Sequence, residues 1–192
     1  MHRLSAQFVL GYHGCTRGVA NKLLGRDKFR PSQNDYDWLG HGIYFWEANP
    51  LRGLEFATEA IRRSSSRSAK PAVVGVVLDL GFCLDLTTAA GVEEVSSAYH
   101  HLASLLQTAN VPLPQNSRDQ LRRNLDCAVI ETLHDIRKNG GLQQIDTVKG
   151  VFVEGQPVYE GAGIYEKTHI QICVRNPDCI KGVFRVPDHH LS

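Results

Sequence analysis

The stretch Asp37-Trp-Leu-Gly-His-Gly-Ile-Tyr-Phe-Trp-Glu47 sets two glycines around one histidine and then runs straight into four strand-forming residues. Ile43, Tyr44, Phe45 and Trp46 suit a buried ladder, and strand alternation separates them by face. Ile43 and Phe45 then share the core side, and Tyr44 points the other way. So much aromatic surface in so few residues needs a partner, either the protein's own core or a flat ligand.

Working outward, "RPSQNDYDWLGHG" ahead of this strand is rich in Pro, Ser, Asn, Asp and Gly and reads as a loop. "NPLRGLEFATEAIRR" behind it reads as a helix, capped by Asn49 with Pro50 in its first turn. Its expected buried stripe is Leu51, Leu54, Ala57 and Ile61, which leaves Phe56 off the stripe and available. Further upstream, "QFVLGYHG" reads as a first strand, followed by a short helix from Thr16 as N-cap to Gly25 as stop. "PAVVGVVLDL" is almost wholly apolar and β-branched, the pattern of a strand covered on both faces. Helical stretches are expected at about 88–108 and about 117–138, the second with Leu121, Leu125, Ala128, Thr132, Leu133 and Ile136 on one face. "VKGVFVEG", "THIQICVRN" and "KGVFRV" supply three late strands. With no repeat and no domain-scale linker, the chain reads as one α+β domain over residues 1–192, its helices inserted between early and late strands.

Composition narrows the classes. The 192 residues are 42% hydrophobic and 21% charged with a net charge of +1, so whole-molecule electrostatics do not mark a general nucleic-acid binder. No apolar run approaches the roughly 20 residues of a membrane span, and no secretory leader pattern is present; a cytoplasmic protein is expected. The five cysteines are scattered without a C-x-x-C pair, and the nine histidines form no metal-ligand motif, so neither a disulfide framework nor a metal is expected.

Three pieces carry chemistry together: "GYHGC" ending the first strand, "GHGIYFWE", and "HIQICVRNPDCI" near the C-terminus. Singly each has a structural explanation, since a lone histidine can close a strand and strand aromatics commonly fill a core. In this order they resemble the ADP-ribosyltransferases, in the branch of the poly(ADP-ribose) polymerases and diphtheria toxin, over roughly residues 8–184. That branch carries H-G on its first strand, G-x-G-I-Y-F on its next, and a glutamate on a late strand. The resemblance implies an α+β fold with an ADP-ribosyltransferase-like split β-sheet core, and NAD as co-substrate.

Carried over residue by residue, His13 hydrogen-bonds ribose hydroxyls of NAD and Gly14 binds the nicotinamide amide through its backbone. Tyr44 stacks on the nicotinamide ring, and Phe56, one residue out of register with the family spacing, closes the sandwich. The third catalytic position, after His13 and Tyr44, falls on Gln171 where the polymerases have glutamate. Glutamine keeps hydrogen bonds but lacks the charge that stabilises an oxocarbenium-like transition state, so single transfer is expected and not polymer extension. His41, Trp38 and Trp46 have no role in the family motif and read as structural. The Arg-specific branch, with its Ser-Thr-Ser strand and Glu-x-Glu pair, is not matched, because the corresponding pair here is His169-x-Gln171.

The loop before the late strand usually contacts the acceptor in this superfamily, and here it offers Tyr159, Glu160, Tyr165, Glu166 and Lys167. These serve a nucleic acid or a protein acceptor equally well, and the basic stretches "IRRSSSRSAK" and "SRDQLRRN" could touch phosphates. A small transferase of this look implies a bacterial toxin or anti-phage effector with an antitoxin partner. Two other readings stand beside it: an NAD-dependent RNA 2'-phosphotransferase, and a non-catalytic NAD-binding or interaction module.

Overall fold

The computed structural model describes residues 8–64, 68–119 and 121–191. Parts of both basic stretches, Ser65 to Arg67 and Gln120, lie outside the described residues. The element order is β1 (Phe8–Thr16), α1 (Arg17–Leu24), β2 (Ile43–Glu47), α2 (Pro50–Arg63), β3 (Pro71–Asp79), β4 (Cys83–Asp85), α3 (Ala89–Thr108), α4 (Asn124–Asn139), β5 (Thr147–Phe152), β6 (His169–Val174) and β7 (Ile180–Arg185). This is an α+β arrangement built on one seven-stranded mixed sheet in the order β4-β5-β6-β2-β1-β3-β7. Only the β4–β5 pairing is parallel.

The sheet is continuous, with a short contact between β1 and β2 near its middle. β1 pairs with β3 along its whole length, yet with β2 through only Gly11–Glu47 and Tyr12–Trp46. Past Gly11 one more backbone bond runs from the Ala48 amide to the Leu10 carbonyl at 3.0 Å, while past Tyr12 the His13 imidazole takes over by donating from Nδ1 to the Tyr44 carbonyl at 2.9 Å. A carbonyl only accepts, so Nδ1 carries the proton and Nε2 keeps its lone pair.

Helix ends follow the sequence chemistry. Thr16 accepts from the Val19 amide, and Asn49 accepts from the Arg52 amide with Pro50 beside it. Two expectations fail. The buried side of α2 is Arg52, Gly53 and Ala57, whereas Leu51 is exposed; α2 lies so close to β1 that small residues, and not leucines, form the contact. A methyl group on Gly14 would run into the Gly53 carbonyl, so Gly14 is glycine because a helix backbone crosses it. Likewise α4 starts at Asn124 and not near Ser117, and Leu121 is an exposed residue ahead of it. Asn116 Oδ1 accepts from the Leu125 amide, and Ser117 and Asp119 tie up the preceding turn. Those local side-chain bonds outcompete a further helical turn. The buried face of α4 is accordingly Cys127, Val129, Ile130, Leu133 and His134.

Ile43 and Phe45 are buried with Val76, Leu78, Ile172 and Val174, as alternation requires. On the opposite face α3 and α4 cover β5 and β6 through Ala98, Val129, Ile130, Leu133, Val148 and Cys173. α2 covers β1 and β3 on that same face, because Gly14 meets Gly53 while Tyr12 and Val73 share a cluster with Leu54. Between α2 and α4 a cleft is left over the β2/β6 strip, with the end of β1 at its edge.

His134 gives the fold a pH dependence. Burial pushes its pKa down from 6.5 to about 4, helped by the nearby Arg175 cation. The folded state therefore favours the neutral ring; its contribution is full above 6.5 and is lost as pH falls toward 4. Urea denaturation is expected to show stability falling by about 3 kcal/mol across that interval, with most of the loss absent in a His134→Gln variant.

Candidate functional site

A cavity of about 380 Å³ opens over the β2/β6 strip, and His13, Gly14, Tyr44, Phe56 and Gln171 all line it. Its volume falls within the range of small-molecule sites. Three strands and a helix deliver these residues to one place, although the chain separates them widely.

Tyr44 is fixed at both ends. Its hydroxyl donates to the Gly40 carbonyl at 2.8 Å and accepts from the Leu39 amide at 3.0 Å. Burial raises its pKa well above the ordinary phenol value, which keeps the proton in place for the first of these bonds. The Gly40 carbonyl can turn toward it because Gly40 sits at a φ of +79°, a region that L side chains avoid. His41 between the two glycines donates its amide to Glu131 Oε1 at 2.7 Å, and its ring lies 3.4 Å from the same carboxylate. It contributes to the loop and not to the cavity.

His13 reaches the cavity from the other face of the sheet, edge-on to Phe29 with ring centroids 5.4 Å apart and 5.7 Å from Phe45. Burial lowers its pKa, so the ring is neutral and offers Nε2 as an acceptor. Phe56 is 39% exposed at the cavity wall, next to the Arg52, Gly53 and Ala57 side of α2 and not off it as the expected stripe implied. Its ring, however, leans on Trp46 at 4.9 Å and 45°.

Trp38 and Trp46 correct the reading of both tryptophans as purely structural, since both line the cavity. Trp46 pairs with Gln171 in the β2/β6 ladder, and Trp38 Nε1 donates to Gln171 Oε1 at 2.6 Å. The other side of the Gln171 amide meets His169 Nε2 at 3.1 Å. The alternation that separates Tyr44 from Phe45 places Trp46 beside Tyr44, so this signal was present in the sequence. That of Trp38 was not, since its bond to Gln171 depends on how a loop folds.

Charged groups line the rim. Glu154 and Glu59 face the cavity from the end of β5 and from α2. Both are engaged: Arg52 Nη2 donates to Glu154 at 2.7 Å and Lys167 Nζ to Glu59 at 3.0 Å. Arg30 and Arg63 also line the cavity. Arg63 Nε donates to the Glu59 carbonyl at 3.3 Å within α2, which leaves its terminal nitrogens to face outward. Two guanidinium groups beside a neutral imidazole suit a phosphate-bearing ligand. Replacing either arginine by alanine is expected to weaken binding of a dinucleotide roughly tenfold and to flatten its salt dependence, read by isothermal titration.

The loop expected to meet an acceptor extends the β5–β6 hairpin beyond the cavity. Pro157 and Tyr165 form a bridge, and Val158, Tyr159 and Ile164 project from it well exposed. Among the described residues no group of His, Cys, Asp and Glu is arranged to hold a metal, and no helix is long and apolar enough to cross a membrane.

No protein-family model matches the chain, and no solved structure matches it. An uncharacterised protein of Methanocaldococcus jannaschii, MJ0359, is 27% identical over 189 residues, covering 88% of this chain and 83% of that protein. What this chain is similar to thus carries no activity with it, and the functional reading rests on the site.

Proposed function

We propose that the chain binds NAD in this cavity and transfers a single ADP-ribose unit to a nucleic acid or protein acceptor, releasing nicotinamide. The observation that supports the reading most is the convergence of His13, Gly14, Tyr44, Phe56 and Gln171 on one cavity, the residues that the resemblance to ADP-ribosyltransferases singles out. The narrow β1/β2 seam under that cavity is in keeping with a split-sheet core of the same kind.

In this reading the Tyr44 ring packs on nicotinamide, and neutral His13 accepts from a ribose hydroxyl. The bond between ribose C1′ and the nicotinamide nitrogen breaks with its electron pair going to nicotinamide. An acceptor oxygen or nitrogen then bonds to C1′, and its proton passes to a carboxylate of the loop, Glu160 or Glu166. Gln171 orients the ribose by hydrogen bonds without adding charge, which favours one transfer over chain growth. The exposed Val158, Tyr159 and Ile164 meet the acceptor. As a toxin or anti-phage effector in the cytoplasm, such an enzyme needs an antitoxin protein to restrain it.

The engaged, uncharged Gln171 amide favours one other reading, a module that binds NAD without turning it over. Incubating the purified chain with NAD and measuring free nicotinamide separates the two. Release that requires RNA or a cell extract supports transfer, and bound NAD without release supports the module. Release coupled to loss of phosphate from 2'-phosphorylated RNA would point instead to a phosphotransferase. An absence of NAD binding overturns all three.

A further inference from the structure

Gln171 occupies the position where the resemblance leads one to expect a carboxylate, and its surroundings are built for an amide. The Trp38 indole N–H can only donate, so the oxygen of the Gln171 side chain must face it, at 2.6 Å. On the other side His169 Nδ1 lies 2.6 Å from the Lys167 carbonyl, which can only accept. The imidazole proton is therefore on Nδ1, and Nε2 presents a lone pair to the Gln171 amide nitrogen 3.1 Å away. Turning the amide over would set donor against donor at Trp38 and acceptor against acceptor at His169. Both neighbours are held in turn: the Trp38 indole lies against Gly150, opposite Gln171 in the β5/β6 ladder, with the Arg123 guanidinium 5.1 Å above it. His169 is 6% exposed and stacks on Phe152 at 5.4 Å and 27°.

We propose that Trp38 and His169 are positioning residues that hold Gln171 in a single orientation, presenting one N–H and one oxygen lone pair to the ligand, and that this frame excludes glutamate at neutral pH. The inference rests on the NAD reading for the identity of that ligand, but the frame itself does not. A carboxylate at 171 would meet the His169 lone pair, and a proton taken up between the two, as an imidazolium or a carboxylic acid, would be needed to relieve the repulsion. Burial opposes that imidazolium and lowers the His169 pKa; Arg52 disfavours it further, while Glu154 and the bond to the Lys167 carbonyl favour it. Restoring the family's glutamate is thus expected to couple the site to the charge of His169 without creating a better enzyme.

The frame is tested by following the His169 ring nitrogens by NMR across pH in the full chain, alongside NAD titrations. The wild type is expected to show the Nδ1–H tautomer at neutral pH, and Gln171→Glu to move the His169 midpoint upward. NAD affinity of the wild type is expected to fall as acid protonates His169, because Nε2–H then opposes the Gln171 N–H. His169→Phe, which keeps the stack on Phe152 and loses the acceptor, is expected to weaken NAD binding about tenfold and remove that acid limb. His169→Gln returns an acceptor oxygen near the place of Nε2 and is expected to stay within about twofold of wild type. Trp38→Phe is expected to match the loss in His169→Phe.

An unchanged His169 titration in Gln171→Glu would overturn the proposal. So would equal damage from His169→Phe and His169→Gln, an arm that remains readable should Gln171→Glu not fold. A wild type that binds no NAD while its His169 midpoint still responds to Gln171→Glu would sink the NAD reading and leave the frame standing.

Discussion

Tyr44→Ala is expected to lower NAD affinity by about a hundredfold or more and to cost about 3–5 kcal/mol of stability. Two losses combine in the one substitution. The ring supplies an apolar wall of the cavity and packs against the cluster under α3 and α4. The hydroxyl satisfies both the Gly40 carbonyl and the Leu39 amide, and its removal leaves two backbone groups without that partner. Tyr44→Phe separates the effects. It keeps the ring and is expected to bind NAD within a few-fold of wild type, while stability falls by about 1–3 kcal/mol. Isothermal titration and urea denaturation read the two quantities independently. Equal affinity in Tyr44→Ala and wild type would remove Tyr44 from the ligand site.

The second large effect is expected at Arg52. This side chain is 6% exposed, bonds Glu154 at 2.7 Å, and lies 3.6 Å and 3.7 Å from Glu55 and Glu59. Replacing it by methionine preserves much of the volume and leaves the Glu154 carboxylate, only 18% exposed, with Lys167 Nζ at 3.8 Å as its remaining cation. Breaking one side of a buried pair costs about 3–5 kcal/mol when nothing else compensates, and with Lys167 at hand urea denaturation of Arg52→Met is expected to show a loss at the lower end of that range. Adding Glu154→Gln is expected to restore part of it, since the weakly paired charge is then gone. A loss that the second substitution leaves untouched would place the role of Arg52 in packing alone. The pair also ties α2 to the base of the loop between β5 and β6, so looser ends of those strands should appear as faster amide exchange at Phe152 and His169.

Sequence reasoning reached the strands and the helix caps because their causes are local. Thr16 and Asn49 cap their helices through bonds made within one turn, and the alternation of Ile43 to Trp46 follows from strand geometry alone. The cavity residues were singled out in a different way, by the resemblance of three motifs in order to a known family. Local reasoning failed where long-range packing decides. Leu51 is exposed because the crossing of Gly14 and Gly53 rotates α2 onto its small residues, a contact between segments far apart in the chain. The three-residue β4 was missed because its identity comes only from pairing with β5. Arg52 was invisible for a similar reason, as an arginine in a helix's first turn reads as solvated until the acidic groups around it are known. The surroundings of Gln171 depend on a loop tryptophan and a strand histidine meeting one side chain, and no spacing rule forecasts that.

The two-pair seam between β1 and β2 also has a mechanical meaning. It is the fault line of the sheet, with β1, β3 and β7 on one bank and β2, β6, β5 and β4 on the other. Few backbone rungs cross it, so the energy needed to part the banks there is smaller than along any long ladder. A molecule gripped by His13 and Gly14 on one bank and by Tyr44 and Gln171 on the other would act as a rivet. Its binding stiffens the whole sheet, and the site gains in stability what the bare protein lacks in strand pairing.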